Sequence, residues 1–214
     1  MELIDQVTAQ QRALLSIFEG LSAEQFAHAS LCSRWDNHHI LAHLVANAST
    51  TKFDRTAMLI RTRGDRSVAS RRLADQFAAM PSAALITNYR QRIEDQHRSP
   101  ERLLPALLAD TVIHTVDVCR PLDISLPPCS IDMAVVLAFL ATDRALEGFI
   151  AAPLPNVTFI ASDAAWRAGR GPEVHGNALD LACAMTARPN ATRGLSGPGI
   201  ESVAQWARVH RPHF

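Results

Sequence analysis

The spacing of apolar residues divides this chain into two parts that require different folds. Up to about residue 150, apolar residues recur every three or four positions, which is the period of an α-helix with one buried face. After Pro153-Leu154-Pro155 this period gives way to the short β-branched run Val157–Ala161, which is typical of a strand. We therefore predict an α+β protein, with a helical bundle over residues 1–152 and a small α/β domain over residues 153–214.

Capping and stop signals place the individual elements. The bundle helices are predicted over about 2–20, 35–48, 82–93, 99–120 and 131–150. Ser99-Pro100-Glu101 begins the fourth of these, and Pro105 is expected to kink its first turn or to delay its start. The arginine-rich segment 61–72, which contains Gly64, is predicted to be an exposed connection. In the second domain we predict strands near 157–161 and 166–172, and helices over 178–187 and 200–209.

Composition excludes several functional classes. The chain has 21 basic and 21 acidic residues, so it lacks the positive charge of a general nucleic-acid-binding protein. No apolar run is long enough to cross a membrane. The N-terminus has no basic stretch followed by an apolar one, and the four cysteines form no CxxC pair. We therefore expect a cytoplasmic protein with reduced thiols, either a monomer or a homodimer, that binds neither nucleic acid nor membrane.

A polar stripe follows the edge of the apolar face of the second predicted helix. Asp36, His39, His43 and Asn47 are spaced four residues apart or nearly so, and therefore lie on one side of the helix. A solvent-facing helix usually carries Lys, Glu or Arg at such positions. Histidines and an amide at the edge of the core indicate either satisfied structural polar residues or a binding site.

A second stripe occurs on the helix predicted over 99–120. Asp110 and His114 are four residues apart and share a face, and Asp117 continues that face by one turn. Asp110 and His114, together with His43, form a set of two histidines and one carboxylate. Such a set suits Zn²⁺, Ni²⁺ or Fe²⁺ with open positions for water or substrate. Asp117 is expected to hold His114 in one tautomer. His39 is an alternative third ligand in place of Asp110, because it lies four residues before His43.

The order of these motifs resembles a known family. Trp35-Asp36-Asn37-His38-His39-Ile40-Leu41-Ala42-His43 is similar to the first signature of DinB-like up-down helical bundles, and residues 109–117 are similar to the second. The whole chain resembles most closely the mycothiol-dependent maleylpyruvate isomerases, which join this bundle to a small C-terminal α/β domain. Segments 166–169, 174–188 and 195–199 look like that domain. The chain departs from the family pattern at Asp110, where the family has glutamate, which puts the identity and affinity of the metal in question.

The resemblance implies an enzyme that uses a divalent metal, zinc first and nickel or iron as alternatives, held by His43, Asp110 and His114. It also implies mycothiol as a cofactor, whose thiolate adds to a double bond of a small anionic or electrophilic substrate. Elimination after rotation would make the protein an isomerase, and permanent transfer would make it a thiol S-transferase. Arg188 is the candidate anion-binding residue implied by the resemblance, and Arg34 and Arg120 are further options. The departure at Asp110 keeps open a non-catalytic DinB-like module that binds a metal or ligand as a stress or sensor protein.

Overall fold

The computed structural model of the chain describes residues 1–95, 100–128, 131–146 and 152–210. These residues form two compact units. The first contains 1–104 and 114–128, and the second contains 105–113 and 131–210, apart from the gaps just given. The architecture is helical with one small three-stranded sheet, which confirms the predicted α+β class. The predicted domain boundary at residue 152 stays a prediction.

The first unit is built from short helices around an apolar core. They are α1 (Leu3–Gly20), α2 (Ala23–Phe26), α3 (Asn37–Ser49), α4 (Lys52–Arg61), α5 (Arg66–Ala78) and α6 (Ser82–Glu94). Helix α3 lies at the centre, because it packs against both α5 and α6, and α6 also packs against α1. The central helix is the one that carries the first polar stripe, so His43 belongs to a well-fixed element.

The prediction of an exposed connection over residues 61–72 is wrong. Helix α4 continues to Arg61 and α5 begins at Arg66, so the link is only four residues long. Asp65 caps α5 by accepting a hydrogen bond from the backbone N–H of Val68. Arginine is itself a good helix former, and the charge density of the segment concealed this capping signal.

Helix α7 (Leu104–Cys119) follows a single 3₁₀ turn over Glu101–Leu103. Pro105 falls in the first turn of α7, where its missing N–H costs nothing, so it delays the start of the α-helix rather than kinking it. The α-helix ends at Cys119 and is succeeded by another 3₁₀ turn over Arg120–Leu122. Ser99, the predicted cap, lies outside the described residues.

The second unit includes α8 (Met133–Leu140) and α9 (Asp143–Leu146), where the sequence predicted one helix over 131–150. The two helices are separated by Ala141 and Thr142, and residues 147–150 lie outside the described part. Thr142 Oγ1 donates to the carbonyl of Phe139, three residues back. This hydroxyl gives the Phe139 carbonyl a partner at the end of α8, where the helical hydrogen bonds stop.

The sheet has the order β2-β1-β3, with β1 over Thr158–Ala161, β2 over Arg167–Gly169 and β3 over Glu173–Gly176. Strand β1 pairs antiparallel with β2 and parallel with β3. Gly169 is required in β2, since its φ is +97° and a Cβ there would collide with the carbonyl of Val157.

Helices α10 (Ala178–Met185) and α11 (Ile200–Val209) complete the second unit close to their predicted positions. Strand β3 was not predicted, because its four residues, which follow Pro172 and end in Gly176, carry too little alternation of apolar and polar residues to indicate a strand. Among the described residues we find no helix whose length and apolar character would let it cross a bilayer.

Candidate metal centre

The N-terminal cap of α3 determines how this helix presents its histidines. Asp36 is the cap and its Oδ1 accepts a hydrogen bond from the backbone N–H of His39 at 2.8 Å. The same oxygen lies 2.7 Å from Nδ1 of His39. His39 is therefore held at the start of the helix by its own cap, and His43 follows one turn later.

His43 is buried, and each of its ring nitrogens faces a neutral polar side chain. The amide Nδ2 of Asn47 lies 2.9 Å from Nε2, and Ser70 Oγ lies 3.3 Å from Nδ1. Because an amide N–H is a donor, Nε2 is the acceptor nitrogen and Nδ1 carries the proton toward Ser70. The lone pair of His43 is thus on Nε2, and an ion bound there would replace the contact with Asn47.

His114 is held by a buried carboxylate of its own helix. Its Nδ1 lies 2.9 Å from Oδ2 of Asp117, and the two residues are only 4% and 0% exposed. A carboxylate at Nδ1 keeps the proton on that nitrogen and leaves the lone pair on Nε2, as in metal-binding histidines that are backed by a carboxylate. The ring of His114 meets the ring of His43 edge to face, with centroids 5.0 Å apart.

Asp110 lies one turn before His114 on α7 and is half-buried. Candidate ligand atoms of His43, Asp110 and His114 all lie within 4.8 Å of one another. Two imidazole nitrogens and one carboxylate oxygen at this spacing fit a divalent cation such as Zn²⁺, because atoms each about 2.0–2.2 Å from one ion are less than about 4.5 Å apart. The residues that the sequence proposed as ligands are thus brought together, and their role as ligands stays a prediction.

Among the described residues, His39 belongs to neither group of side chains that could hold an ion. Those groups are His43, Asp110 and His114, and a second set that shares His114 with Cys32 and Asp117. The pairing of His39 with Asp36 gives the physical reason, since its Nδ1 is directed to the helix cap.

Sequence reasoning missed the loop that precedes α3. Trp35 is 3% exposed, and its ring centroid lies 4.8 Å from that of His43 and 6.4 Å from that of His114. Cys32 is 1% exposed, and its Sγ lies 3.3 Å from Oδ2 of Asp117. The tryptophan was visible as part of the family signature, but no local signal marks a cysteine that meets a residue 85 positions later.

The three arginines proposed to bind an anion have different surroundings. Arg188 is only 2% exposed, and its Nη1 donates to the carbonyl of Thr186, the C-cap residue of α10. Arg120 is half-buried and Arg34 is exposed. Their roles stay predictions, and part of the hydrogen-bonding capacity of Arg188 serves the end of its own helix.

Burial also sets the chemistry of Cys119 at the end of α7. Desolvation raises the pKa of its thiol from 9.0 to about 11, so this cysteine is a protonated core residue at neutral pH. Cys32, Cys119 and Cys183 are all buried free thiols, and Cys129 lies outside the described residues.

Comparison with known proteins bears directly on this helical region. Residues 7–71 match the model of the mycothiol maleylpyruvate isomerase N-terminal domain. This part of the N-terminal helical region is therefore similar to that domain family. The resemblance predicted from the sequence is thereby confirmed, and the matched residues include Trp35 and His43 of the candidate centre.

Solved structures extend the likeness to the fold of nearly the whole chain. A crystal structure of the mycothiol-dependent maleylpyruvate isomerase superposes with a TM-score of 0.62 at 14% identity, covering 92% of this chain and 93% of that one. A histidine-to-alanine mutant of that isomerase superposes with the same TM-score at 13% identity and the same coverage. At this level of identity the likeness shows the fold. No curated protein sequence matches the chain significantly.

Proposed function

We propose that this protein is a metal-dependent enzyme that uses a low-molecular-weight thiol, mycothiol, to isomerise or to modify a small electrophilic anion. The observation that carries the proposal is the convergence of His43, Asp110 and His114 within 4.8 Å. It is supported by the mycothiol maleylpyruvate isomerase N-terminal domain over residues 7–71 and by the fold of the solved isomerase.

In this proposal His43 and His114 hold the cation through their Nε2 atoms and Asp110 through a carboxylate oxygen. A bound divalent cation would lower the pKa of a thiol that coordinates it, so that the thiolate is present at neutral pH. Zinc is the first candidate, because all three donors are ligands that it accepts, and nickel and iron are the alternatives.

The chain's own residues supply orientation and a dry environment. Asp117 keeps the proton of His114 on Nδ1, and the buried Trp35 ring covers His43 on one side. Burial of both histidines keeps bulk water from competing for the donor nitrogens and strengthens local electrostatic interactions. These contacts allow the site to bind an ion without first reorganising the His114 ring.

The reaction that this arrangement favours is addition of the thiolate to an electron-poor double bond of the substrate. Rotation about the resulting single bond and elimination of the thiol would convert a cis acid, such as maleylpyruvate, into its trans isomer. If the carbanion formed by addition takes up a proton from solvent instead of expelling the thiolate, the product is an S-conjugate. Arg188, Arg120 and Arg34 are the proposed partners for the substrate's carboxylates, because arginine binds such groups through paired N–H donors.

The test begins with the metal content of the purified full-length protein, followed by titration of the metal-free protein with Zn²⁺, Ni²⁺ and Fe²⁺. Turnover is then measured with mycothiol and either maleylpyruvate or an aromatic halide as a generic electrophile. We expect one ion per chain and turnover that needs both the metal and the thiol.

His39→Ala is the matched control for His43→Ala, because both histidines lie on α3 and only His43 belongs to the candidate centre. We expect His43→Ala to abolish metal binding and His39→Ala to keep it. Absence of metal binding in the wild-type protein would overturn the proposal. Metal binding without turnover on any substrate would overturn its enzymatic part and would favour the non-catalytic module.

A further inference from the structure

The Cys32 thiol contacts the candidate centre, and neither the sequence nor the family resemblance gives it a role. It lies in the loop between α2 and α3, and its Sγ lies 3.3 Å from Asp117 Oδ2. The same oxygen lies 2.9 Å from His114 Nδ1. One carboxylate oxygen therefore receives two donors, a thiol and an imidazole N–H.

The loop is fixed in a way that holds this thiol in place. The backbone N–H of Cys32 donates to Ser30 Oγ at 3.1 Å, and that hydroxyl donates to the carbonyl of Trp35 at 2.7 Å. The N–H of Trp35 donates in turn to the carbonyl of Cys32. The loop is closed on itself around the cysteine, so its side chain has little freedom to leave Asp117.

The loop is also attached to α7 at the same residue. The backbone N–H of Leu31 donates to the backbone carbonyl of Asp117 at 3.1 Å. Asp117 thus receives one hydrogen bond on its main chain and one on its side chain from adjacent loop residues. Cys32, His114 and Asp117 are 1%, 4% and 0% exposed, so water does not replace any of these contacts.

We propose that Cys32 is a positioning residue of the metal centre, which fixes the Asp117 carboxylate so that it holds the His114 ring in the metal-binding orientation. A thiol that donates to the same oxygen as His114 adds to the restraint on rotation of this carboxylate about its Cβ–Cγ bond. The effect reaches the ion only through Asp117 and then His114. The inference rests on the proposed metal site.

The competing role for Cys32 is direct ligation, because its Sγ also lies within 4.8 Å of donor atoms of His114 and Asp117. The two roles predict different spectra. A thiolate bound to Co²⁺ gives an intense sulfur-to-metal band in the near ultraviolet, whereas a thiol hydrogen-bonded to Asp117 gives none. We expect no such band.

The experiment titrates metal-free full-length protein with Co²⁺ and compares the wild type with Cys32→Ala, Cys32→Ser, Asp117→Asn and the double variant Cys32→Ala/Asp117→Asn. We expect Cys32→Ala to weaken Co²⁺ binding by about three- to tenfold, less than the roughly 10–100-fold typical of a partner that contacts a ligand directly. Cys32→Ser, which keeps a donor, should recover most of the loss. In the Asp117→Asn background, Cys32→Ala should cost less than in the wild type, because the neutral amide holds His114 more weakly and less is left for Cys32 to position.

Cys119→Ala is the matched control, since it deletes another fully buried thiol on α7 itself. A loss of Co²⁺ affinity in Cys32→Ala no greater than in Cys119→Ala would overturn the inference. So would additive effects in the double variant or a sulfur-to-cobalt band in the wild type.

A second readout needs no metal. The ¹⁵N chemical shifts of His114 in the metal-free protein should show the proton on Nδ1 in the wild type and in Cys32→Ser, and a lower Nδ1-protonated fraction in Cys32→Ala. If the wild-type protein binds no Co²⁺ or Zn²⁺, the proposed function fails. The ¹⁵N comparison still decides separately whether Cys32 positions His114, and identical shifts in all three proteins would overturn that.

Discussion

His114 Nδ1 lies 2.9 Å from Asp117 Oδ2, one turn further along α7, and both side chains are buried. An imidazole in this arrangement has only one nitrogen available to an ion. The contact with Asp117 therefore leaves Nε2 as the His114 atom that can bind an ion, and substitution of Asp117 tests this role.

Asp117→Asn should weaken zinc binding by about 10–100-fold, as loss of a charged partner of a metal-binding histidine does in other proteins. The amide is nearly isosteric, so the change removes the charge and leaves the packing. The measurement is competition for Zn²⁺ against a chelating dye. Asp36→Asn is the control, because Asp36 contacts His39 Nδ1 in the same i,i+3 geometry outside the centre. Equal losses in both variants would contradict the prediction.

Asp110→Ala should weaken zinc binding by more than about 100-fold, beyond the range for an indirect partner, because a coordinating oxygen is lost. Asp110→Glu should retain an affinity within about tenfold of the wild type, or about 1.4 kcal/mol. The family pattern has glutamate at this position, and Asp110 is only half-buried. Calorimetric titration with Zn²⁺ measures both. An unchanged affinity in Asp110→Ala would show that Asp110 is not a ligand.

Asn47→Ala and Ser70→Ala should change metal affinity in opposite directions. The Asn47 amide donates to His43 Nε2, the proposed metal-binding atom, so its removal should tighten binding by about two- to tenfold, the value of one ordinary hydrogen bond. Ser70 accepts from Nδ1 and holds the tautomer, so its loss should weaken binding by a similar factor. The reverse pair of results would assign Nδ1 of His43 as the ligand atom.

Metal binding should be visible in the fluorescence of Trp35. Its ring lies 4.8 Å from the ring of His43 and 6.4 Å from that of His114. Binding of Co²⁺ or Ni²⁺ should therefore quench its emission strongly, and binding of Zn²⁺ only weakly, because zinc has a filled d shell. Trp35→Phe keeps the other two tryptophans and should abolish the Co²⁺-dependent quenching. Equal quenching in wild type and Trp35→Phe would place the ion elsewhere.

Cys119 should make the free energy of unfolding depend on pH between about 9 and 11. In the unfolded chain the thiol ionises near its ordinary pKa of 9.0, whereas in the folded protein burial raises the pKa to about 11. The folded state therefore keeps a proton that the unfolded state loses, and stability falls as pH rises through this range. Urea unfolding of wild type and Cys119→Ala should show a stability difference that shrinks from pH 9 to pH 11. A difference that does not vary with pH would contradict the burial effect.

The helical elements were largely predictable because their signals are local. Helix α3 begins directly after Asp36, close to its predicted start, and Pro105 delays the start of α7, which is one of the two outcomes that the sequence indicated. The failure at 61–72 came from weighing charge above the capping aspartate Asp65. The strand β3 depends on pairing with β1 rather than on its own residues, so its four positions carried no signal of their own.

The candidate centre was predictable to the extent that it follows helix periodicity. Asp110, His114 and Asp117 share a face of α7 by spacing alone, and the structure adds that His43 lies next to them. The contributions of Cys32, Asn47 and Ser70 depend on side-chain contacts. For Cys32 and Ser70 these contacts join residues 85 and 27 positions apart, and helical periodicity does not predict contacts between such distant residues.

The loop between α2 and α3 is closed at its base by a bridge between Ala29 and Asp36, and it places Trp35 against the two histidines and Cys32 against Asp117. Surface loops ordinarily gain and lose residues freely as proteins diverge. Here a single insertion would shift both side chains relative to α7 at once. The length of this short connection is therefore, like the two histidines, a feature by which distant homologues with the same arrangement of side chains can be recognised.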